Sequence, residues 1–503
     1  MPLIQSNNPK FNILLQKIEE IGYIERITHP IVYVSGLPGA VLNEIVLFET
    51  GEEGYIFSLE DDYAKAVTFS VNPLELGTKV ARTGKILGIK INDKVLGNVL
   101  DPLGRSMLKN VKVSREGEDK SIDIAPMGVD KRERVHDPLI TGVPLVDFLI
   151  PLGKGQRELI IGDRNTGKTA FVMQTMLSQA NKNSICIYTA IGKKQESIKE
   201  VEEYLKKRNI FDKCVIVGAS SADSLGKIFV APYTAMTIAE YFRDKGKNVL
   251  VILDDLTTHA RYFRELSLIS GKFPGKDSYP GDVFYVHARL LERAGNFKHN
   301  DGRDVSISCL PIAETIEGDL SGYIQTNLMS ITDGHIFFDQ EMYKEGKRPA
   351  INYFLSVTRV GRQTQNNVRW GVNRELSSFF YLHRKTKKFI HFGAELNEGI
   401  RSTLEMGEKL DTFFDQPMEE VIDINIQIML FTLIWSGILK NESEGKIRYY
   451  LSASQNLYQS DPGFKNKVNK LINSCNDFNQ LLGKVSAQHK EIIERLERGY
   501  EKN

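Results

Sequence analysis

One run, Gly162-Asp163-Arg164-Asn165-Thr166-Gly167-Lys168-Thr169, constrains this chain more than any other, because it satisfies the pattern GxxxxGK[ST]. It follows the apolar segment Glu158–Ile161 and leads into AFVMQTMLSQ (residues 170–179), which reads as a helix. A strand, a glycine-rich loop and a helix in that order turn backbone N–H groups inward around phosphate oxygens. The helix N-terminus adds a favourable dipole. In this reading Lys168 reaches the β and γ phosphates of a nucleotide, and the Thr169 hydroxyl ligates Mg²⁺.

Such a site calls for an acidic group at the end of a neighbouring strand. Val249–Leu253 is continuously apolar and is followed by Asp254 and Asp255. In isolation this is a solvated pair closing a strand. With Lys168 and Thr169 upstream, Asp254 reads as the carboxylate that holds Mg²⁺, directly or through water.

The rest of the chain arranges itself around this core. From about Tyr23 to Leu96, short β-like runs are punctuated by Gly, Pro, Asn and Asp at intervals of roughly ten residues, the pattern of a small sandwich or barrel. From Arg157 to about Thr358, the apolar runs ELIIG, SICIYTAIG, KCVIVGA, NVLVILDDL and SISCLPI alternate with helix-like segments, which predicts a parallel α/β sheet. Beyond about Leu376 the spacing is helical. The expected division is a short segment over 1–22, a β-barrel over 23–96, a RecA-like P-loop α/β domain over 97–375 and an α-helical domain over 376–503.

Composition narrows the class. With 41% hydrophobic residues, 26% charged and a formal net charge of +1, nothing favours nucleic acid or an anionic membrane as the main partner. The longest apolar stretch, Ile426 to Leu439, falls short of the ~20 residues a spanning helix needs and reads as a buried helix. The N-terminus lacks a basic region followed by an apolar one, so no secretory signal is expected. Cys186, Cys214, Cys309 and Cys475 are far apart with no CxxC pair, as in reduced, buried thiols of a cytoplasmic protein.

Beyond the P-loop itself, several blocks carry a resemblance. GQRELIIGDRNTGKTA (155–170), VHDPLITGVPLVDFLIPLGKG before it, SYPGDVFYVHARLLERAG (278–295), LPIAETIEGDLSGYIQTNLMSITDGHIFFD (310–339) and RPAINYFLSVTRVG (348–361) resemble the α-type subunits of F-type rotary ATPases, in the family's order. The likeness is strong from about Ala125 to Gly361, recognisable in the barrel and patchy after Gln363. It implies a ring of three α-type and three catalytic β-type subunits around a central γ-type shaft, cytoplasmic and attached to the inner face of the membrane only through the complex. It also implies a site that binds ATP or ADP with Mg²⁺ but scarcely turns it over. In the block LSVTRVG, it makes Arg359 the arginine donated to the catalytic site of the neighbouring β subunit, where a planar guanidinium spans charge building on phosphoryl oxygens.

The chain's own turnover depends on a group that orients or deprotonates water. The family carries glutamate at that position in β subunits and glutamine in α subunits. Here the residue after SICIYTAIG is Lys193, which does neither job, so a poor hydrolase is expected. Its charge faces either the γ-phosphate or solvent, and Glu196 three residues on is the carboxylate a shifted alignment would bring near. The resemblance puts Tyr343, Arg348 and Gln416 at the adenine.

The departures lie at the ends. Only about 20 residues precede the barrel, with an amphipathic turn or two around Leu14 to Ile21, and NNVRWGVNRELSSFFYLHRKTKKFIHFGAEL diverges from the family's helix pair. The resemblance therefore leaves two loads open: an ion-coupled ATP synthase, or an F-type-like motor of the kind wall-less bacteria carry, driving surface or gliding machinery. An export ATPase or a hexameric helicase would need the catalytic glutamate that Lys193 replaces. A ring component that had lost its nucleotide would not keep Lys168, Thr169 and Asp254.

Overall fold

The computed structural model describes residues 8–108, 117–391, 398–417 and 420–497. The first seven residues, 392–397 within the divergent stretch, and the last six therefore lie outside the described residues.

The chain opens with helix α1 (Pro9–Ile18), longer than the turn or two expected. The Asn8 side chain caps it by accepting from the Lys10 and Phe11 amides, and Pro9 has the fixed φ that suits a first helical position. Phe11 and Leu15, one turn apart, are buried with Leu47 and Ala81 of the barrel.

Six antiparallel strands close that barrel in the order β1-β2-β5-β4-β3-β6: β1 (Gly22–Thr28), β2 (Ile31–Ser35), β3 (Glu44–Phe48), β4 (Glu53–Leu59), β5 (Ala64–Thr68) and β6 (Lys79–Ile86). Alternate residues such as Val32 and Val34, Val46 and Phe48, and Ala64 and Ala66 fill its interior. The intervening Ile31, Tyr33 and Val67 belong to a second core, shared with the α/β sheet.

The central sheet contains β7 (Asn98–Leu100), β8 (Glu158–Gly162), β9 (Ile185–Lys193), β10 (Cys214–Ser220), β11 (Val249–Asp254), β12 (Asp304–Glu314), β13 (Gly334–Phe338) and β14 (Val357–Thr358). Their order is β14-β13-β8-β12-β11-β9-β10-β7. All neighbours are parallel except β13 and β14. Each predicted strand run is present. Three members were not foreseen: β7 is only three residues long, β14 only two, and β13 is a short GHIFF between acidic residues. Helices α2 (Lys168–Asn181), α3 (Gln195–Lys207), α4 (Leu225–Asp244) and α5 (Leu256–Ile269) connect or flank these strands.

The C-terminal region is helical as expected: α6 (Asn367–His391), α7 (Glu398–Phe414), α8 (Ile424–Trp435), α9 (Glu444–Ser460), α10 (Pro462–Asn473) and α11 (Phe478–Glu497). α8 is buried on nearly every side, which is why the apolar run around it looked long without spanning a membrane. Among the described residues no helix is long and apolar enough to cross one. α6 runs continuously through positions 375 and 376, and one hydrophobic core joins α8 to strand residues such as Ile160 and Ile252. A buried polar seam ties the same two layers together: Asp147 accepts from the Thr141 and Gly142 amides and from Gln427 Nε2 of α8 at 3.0 Å.

Candidate functional site

Parallel strands deliver their functional residues at their carboxyl ends, the place where such sheets bind ligands. Gly162, Lys193, Asp254 and Glu314 each end a strand here. Register holds them level: Gly162 is opposite Glu314 and Phe338, and Ala190 is opposite Asp254.

The loop from Gly162 to Thr169 is held by its own chemistry. A Cβ at Gly162 would collide with the Phe338 carbonyl, so the strand ends in the one residue that fits. Asn165 and Gly167 take positive φ, at 61° and 100°. Asp163 accepts from the Thr315 hydroxyl and from the Gly318 amide at 2.9 Å, clamping the loop to the turn after β12. Thr166 Oγ1 donates to the Asp163 carbonyl at 2.8 Å. Arg164 lies outside, with Nε 2.9 Å from Glu314 Oε2. Lys168 folds back over the loop and donates to the Gly162 carbonyl at 2.7 Å and to that of Asp163. Burial pushes its pKa down to about 8, against the pull of Glu314, Asp254 and Asp255. The Thr169 side chain is exposed at the first turn of α2.

The acidic pair departs from expectation. Asp254 is 3% exposed and Asp255 1%. Lys193 Nζ lies 2.7 Å from Asp254 Oδ1 and 3.2 Å from Asp255 Oδ2, so its ammonium is engaged by the two carboxylates while its side chain stays partly exposed. Tyr188 Oη donates to Asp254 Oδ2 at 2.6 Å, and Asp255 caps α5 by accepting from the Thr258 amide at 2.6 Å. Burial works against the charge on Lys193, but Asp254 and Asp255 outweigh it and hold the ammonium more firmly protonated than a free lysine.

This arrangement does not suit direct ligation of Mg²⁺ by Asp254. Magnesium needs oxygen ligands at ~2.0–2.1 Å in near-octahedral geometry. Both oxygens of Asp254 already have a hydrogen-bonding partner, one of them a cation that would repel a divalent ion. Of the two ligands expected, only the Thr169 hydroxyl is open. Among the described residues no group of three or more His, Cys, Asp or Glu side chains gathers to hold a metal. Glu196 is exposed on the first turn of α3.

Three residues expected at the base are brought together. The Arg348 guanidinium sits 3.7 Å from the centre of the Tyr343 ring and donates to the Tyr343 carbonyl at 2.9 Å. The Gln416 amide donates to the Arg348 carbonyl at 2.8 Å. The Gln416 side chain is buried, its Nε2 donating to the carbonyls of Gly142 and Glu420, and its Oε1 has no partner.

Arg359 stands apart. It follows β14 and is exposed; its Nη1 donates to the Thr332 carbonyl at 3.1 Å, and it makes no ion pair among the described residues. Gly334 of β13 is opposite both Glu158, which starts β8, and Thr358, whereas Gly162 is opposite Phe338. Arg359 therefore lies at the amino ends of the strands. Thr358 is four residue steps from the P-loop along the sheet and Arg359 five, roughly 17 Å at ~3.3 Å per residue.

Reading the sequence did not single out Glu314, Tyr188, Thr315 or Asp255 as site residues. Each is placed by strand register, and only the adjacency of Asp255 to Asp254 could have suggested one of them.

Comparison with known proteins is consistent with this geometry. Residues 142–358 match the ATP synthase alpha/beta family, nucleotide-binding domain. The chain is 37% identical over 467 residues to the "ATP synthase subunit alpha" of Carsonella ruddii (strain PV), covering 90% of this chain and 96% of that protein. It is 40% identical over 439 residues to the subunit of the same name from Aquifex aeolicus (strain VF5), covering 86% of each. To "ATP synthase subunit alpha 1" of Paraburkholderia xenovorans (strain LB400) it is 39% identical over 421 residues, 84% of this chain and 82% of that one.

Proposed function

The chain belongs to the alpha subunits of F-type ATP synthases, and we propose that it is a non-catalytic member of the ring, binding a nucleotide itself and lending Arg359 to a catalytic site on the neighbouring β-type subunit. The observation that carries this reading is the position of Arg359. It is exposed, it makes no close ion pair among the described residues beyond a longer-range attraction to the buried Glu158, and it lies at the opposite ends of the strands from its own P-loop. A guanidinium left in that state is of no use to its own nucleotide, but it is available to a phosphate presented by another chain. The Thr332 carbonyl fixes its direction without neutralising it.

Poor turnover in the chain's own site follows from Lys193. A general base must accept a proton, and an ammonium held by two carboxylates has no lone pair to offer. Phosphates would lie on the loop amides of residues 162–169, with Lys168 swinging from the loop carbonyls onto the β and γ oxygens. Tyr343, Arg348 and Gln416 would hold the adenine, the Tyr343 ring with Arg348 packed on it offering a stacking surface. Any Mg²⁺ that accompanies the nucleotide would meet the exposed Thr169 hydroxyl, not Asp254. A central γ-type shaft completes the ring, and contact with the membrane is made through the complex.

The test is Arg359→Ala in the assembled complex. Loss of a transition-state cation lowers turnover by at least about 10²-fold while native mass spectrometry shows the same assembly. Near-normal turnover in an intact complex removes the assignment.

A further inference from the structure

We propose that Lys193 is a built-in counter-cation for the Asp254–Asp255 pair, taking the place a divalent ion would otherwise hold, so that this chain binds ATP or ADP with an affinity that hardly depends on magnesium. The inference rests on the nucleotide-binding reading above.

Two carboxylates side by side and almost fully buried are an unstable arrangement unless a cation meets them, because an unpaired buried charge costs several kcal/mol. In a magnesium-dependent site the metal helps meet that need only when it arrives with the nucleotide. Here the chain meets it in advance. Lys193 closes β9, one strand over from the Asp254 that closes β11, and its ammonium bridges Asp254 Oδ1 and Asp255 Oδ2. The pair is further fixed from behind, by Tyr188 on Asp254 and by the α5 cap on Asp255, so neither carboxylate is free to turn toward a metal.

The consequence for the ligand is specific. An ammonium has three N–H donors, and the two aspartates use two of them. The side chain retains 26% exposure, so it is not sealed from the site. A nucleotide then meets Lys168 and the partly neutralised pair in place of a metal. A divalent ion brought against Asp254 has to displace the ammonium or sit beside it. Both cancel the benefit it brings elsewhere.

The experiment is calorimetric titration of the full-length chain with ATP, once in millimolar MgCl₂ and once in EDTA, for the native protein, Lys193→Gln and Lys193→Arg. The native chain and Lys193→Arg are expected to show affinities within about fivefold between the two conditions, and Lys193→Gln a preference for magnesium greater than that. In parallel, without nucleotide, the melting temperature of Lys193→Gln should rise on adding MgCl₂ while that of the native chain stays put. If Lys193→Gln does not fold, the native chain and Lys193→Arg decide the matter by the same ratio. A magnesium preference above about fivefold in the native chain overturns the proposal and leaves nucleotide binding intact. Equal insensitivity in Lys193→Gln overturns the role of Lys193. Binding in neither condition overturns the nucleotide-binding reading itself.

Discussion

At the carboxyl ends of the central strands three cations have partners from their own chain: Lys168 on the loop carbonyls, Lys193 on Asp254 and Asp255, Arg164 on Glu314. At the amino ends, five residue steps away, Arg359 is oriented by one carbonyl and makes no ion pair among the described residues, with a longer-range attraction to the buried Glu158. The two regions share a sheet and differ in where their charge is settled. The pocket is neutralised internally. On the proposed reading it lacks the base a hydrolase needs, and the Arg359 edge serves a neighbouring chain. A subunit can thus retain a nucleotide site for binding while its contribution to catalysis sits on another face.

After the loss expected for Arg359→Ala, the next largest effect tests the pocket side of that contrast. Lys168→Ala removes a charge-assisted contact to phosphate, worth about tenfold to hundredfold in ATP affinity of the isolated chain by equilibrium titration. The same substitution in the complex should leave turnover well above that of Arg359→Ala. If Lys168→Ala abolishes turnover in an intact assembly, the pocket is itself catalytic and the contrast between the two regions collapses.

How much of this could be read in advance depended on distance along the chain. The P-loop is a contiguous run, and Val249–Leu253 with its acidic end is another, so both could be placed as strand ends before any coordinates. The barrel announced itself by short β-like runs punctuated by turn residues, and α8 by an apolar run too short for a membrane. The partnership of Lys193 with Asp254 could not be read, because it arises from β9 and β11 lying side by side, and strand order is not written in either segment. The same holds for Glu314 on Arg164 and Thr315 on Asp163, which meet across about 150 residues of chain. β7 and β14 were too short to show a period.

A smaller effect probes how dry the packing behind the pocket is. His259, on the α5 that Asp255 caps, faces His287 with Nδ1 3.1 Å from Nε2, and both are buried. Burial lowers the pKa of His259 to about 4, and burial with the neighbouring ring also drives His287 well below its ordinary value. Histidines depressed in the fold favour the neutral form, so their contribution is fully present above the unfolded value near 6.5 and is lost as pH falls from there toward 4. The melting temperature should therefore drop by several degrees across that window, in proportion to one or two protons taken up. His287→Gln, which has no titrating ring, should flatten the slope. An equal slope in the variant would mean that the pair is hydrated and that the wall behind Asp255 is more open than its burial indicates.

The smallest effect separates base from phosphate within the pocket. Tyr343 is half-buried and packs against Arg348, so removing its ring deletes a stacking surface and leaves the strand ends untouched. A base–aromatic contact of ~1–3 kcal/mol at full strength falls to the lower part of that range at a half-exposed site, about threefold to tenfold in affinity. Tyr343→Ala should weaken ATP by that factor and leave inorganic tripolyphosphate, which has no base to stack, unchanged. Loss of both ligands together would show that the ring supports the loop, not the adenine. Loss of neither would move the base elsewhere.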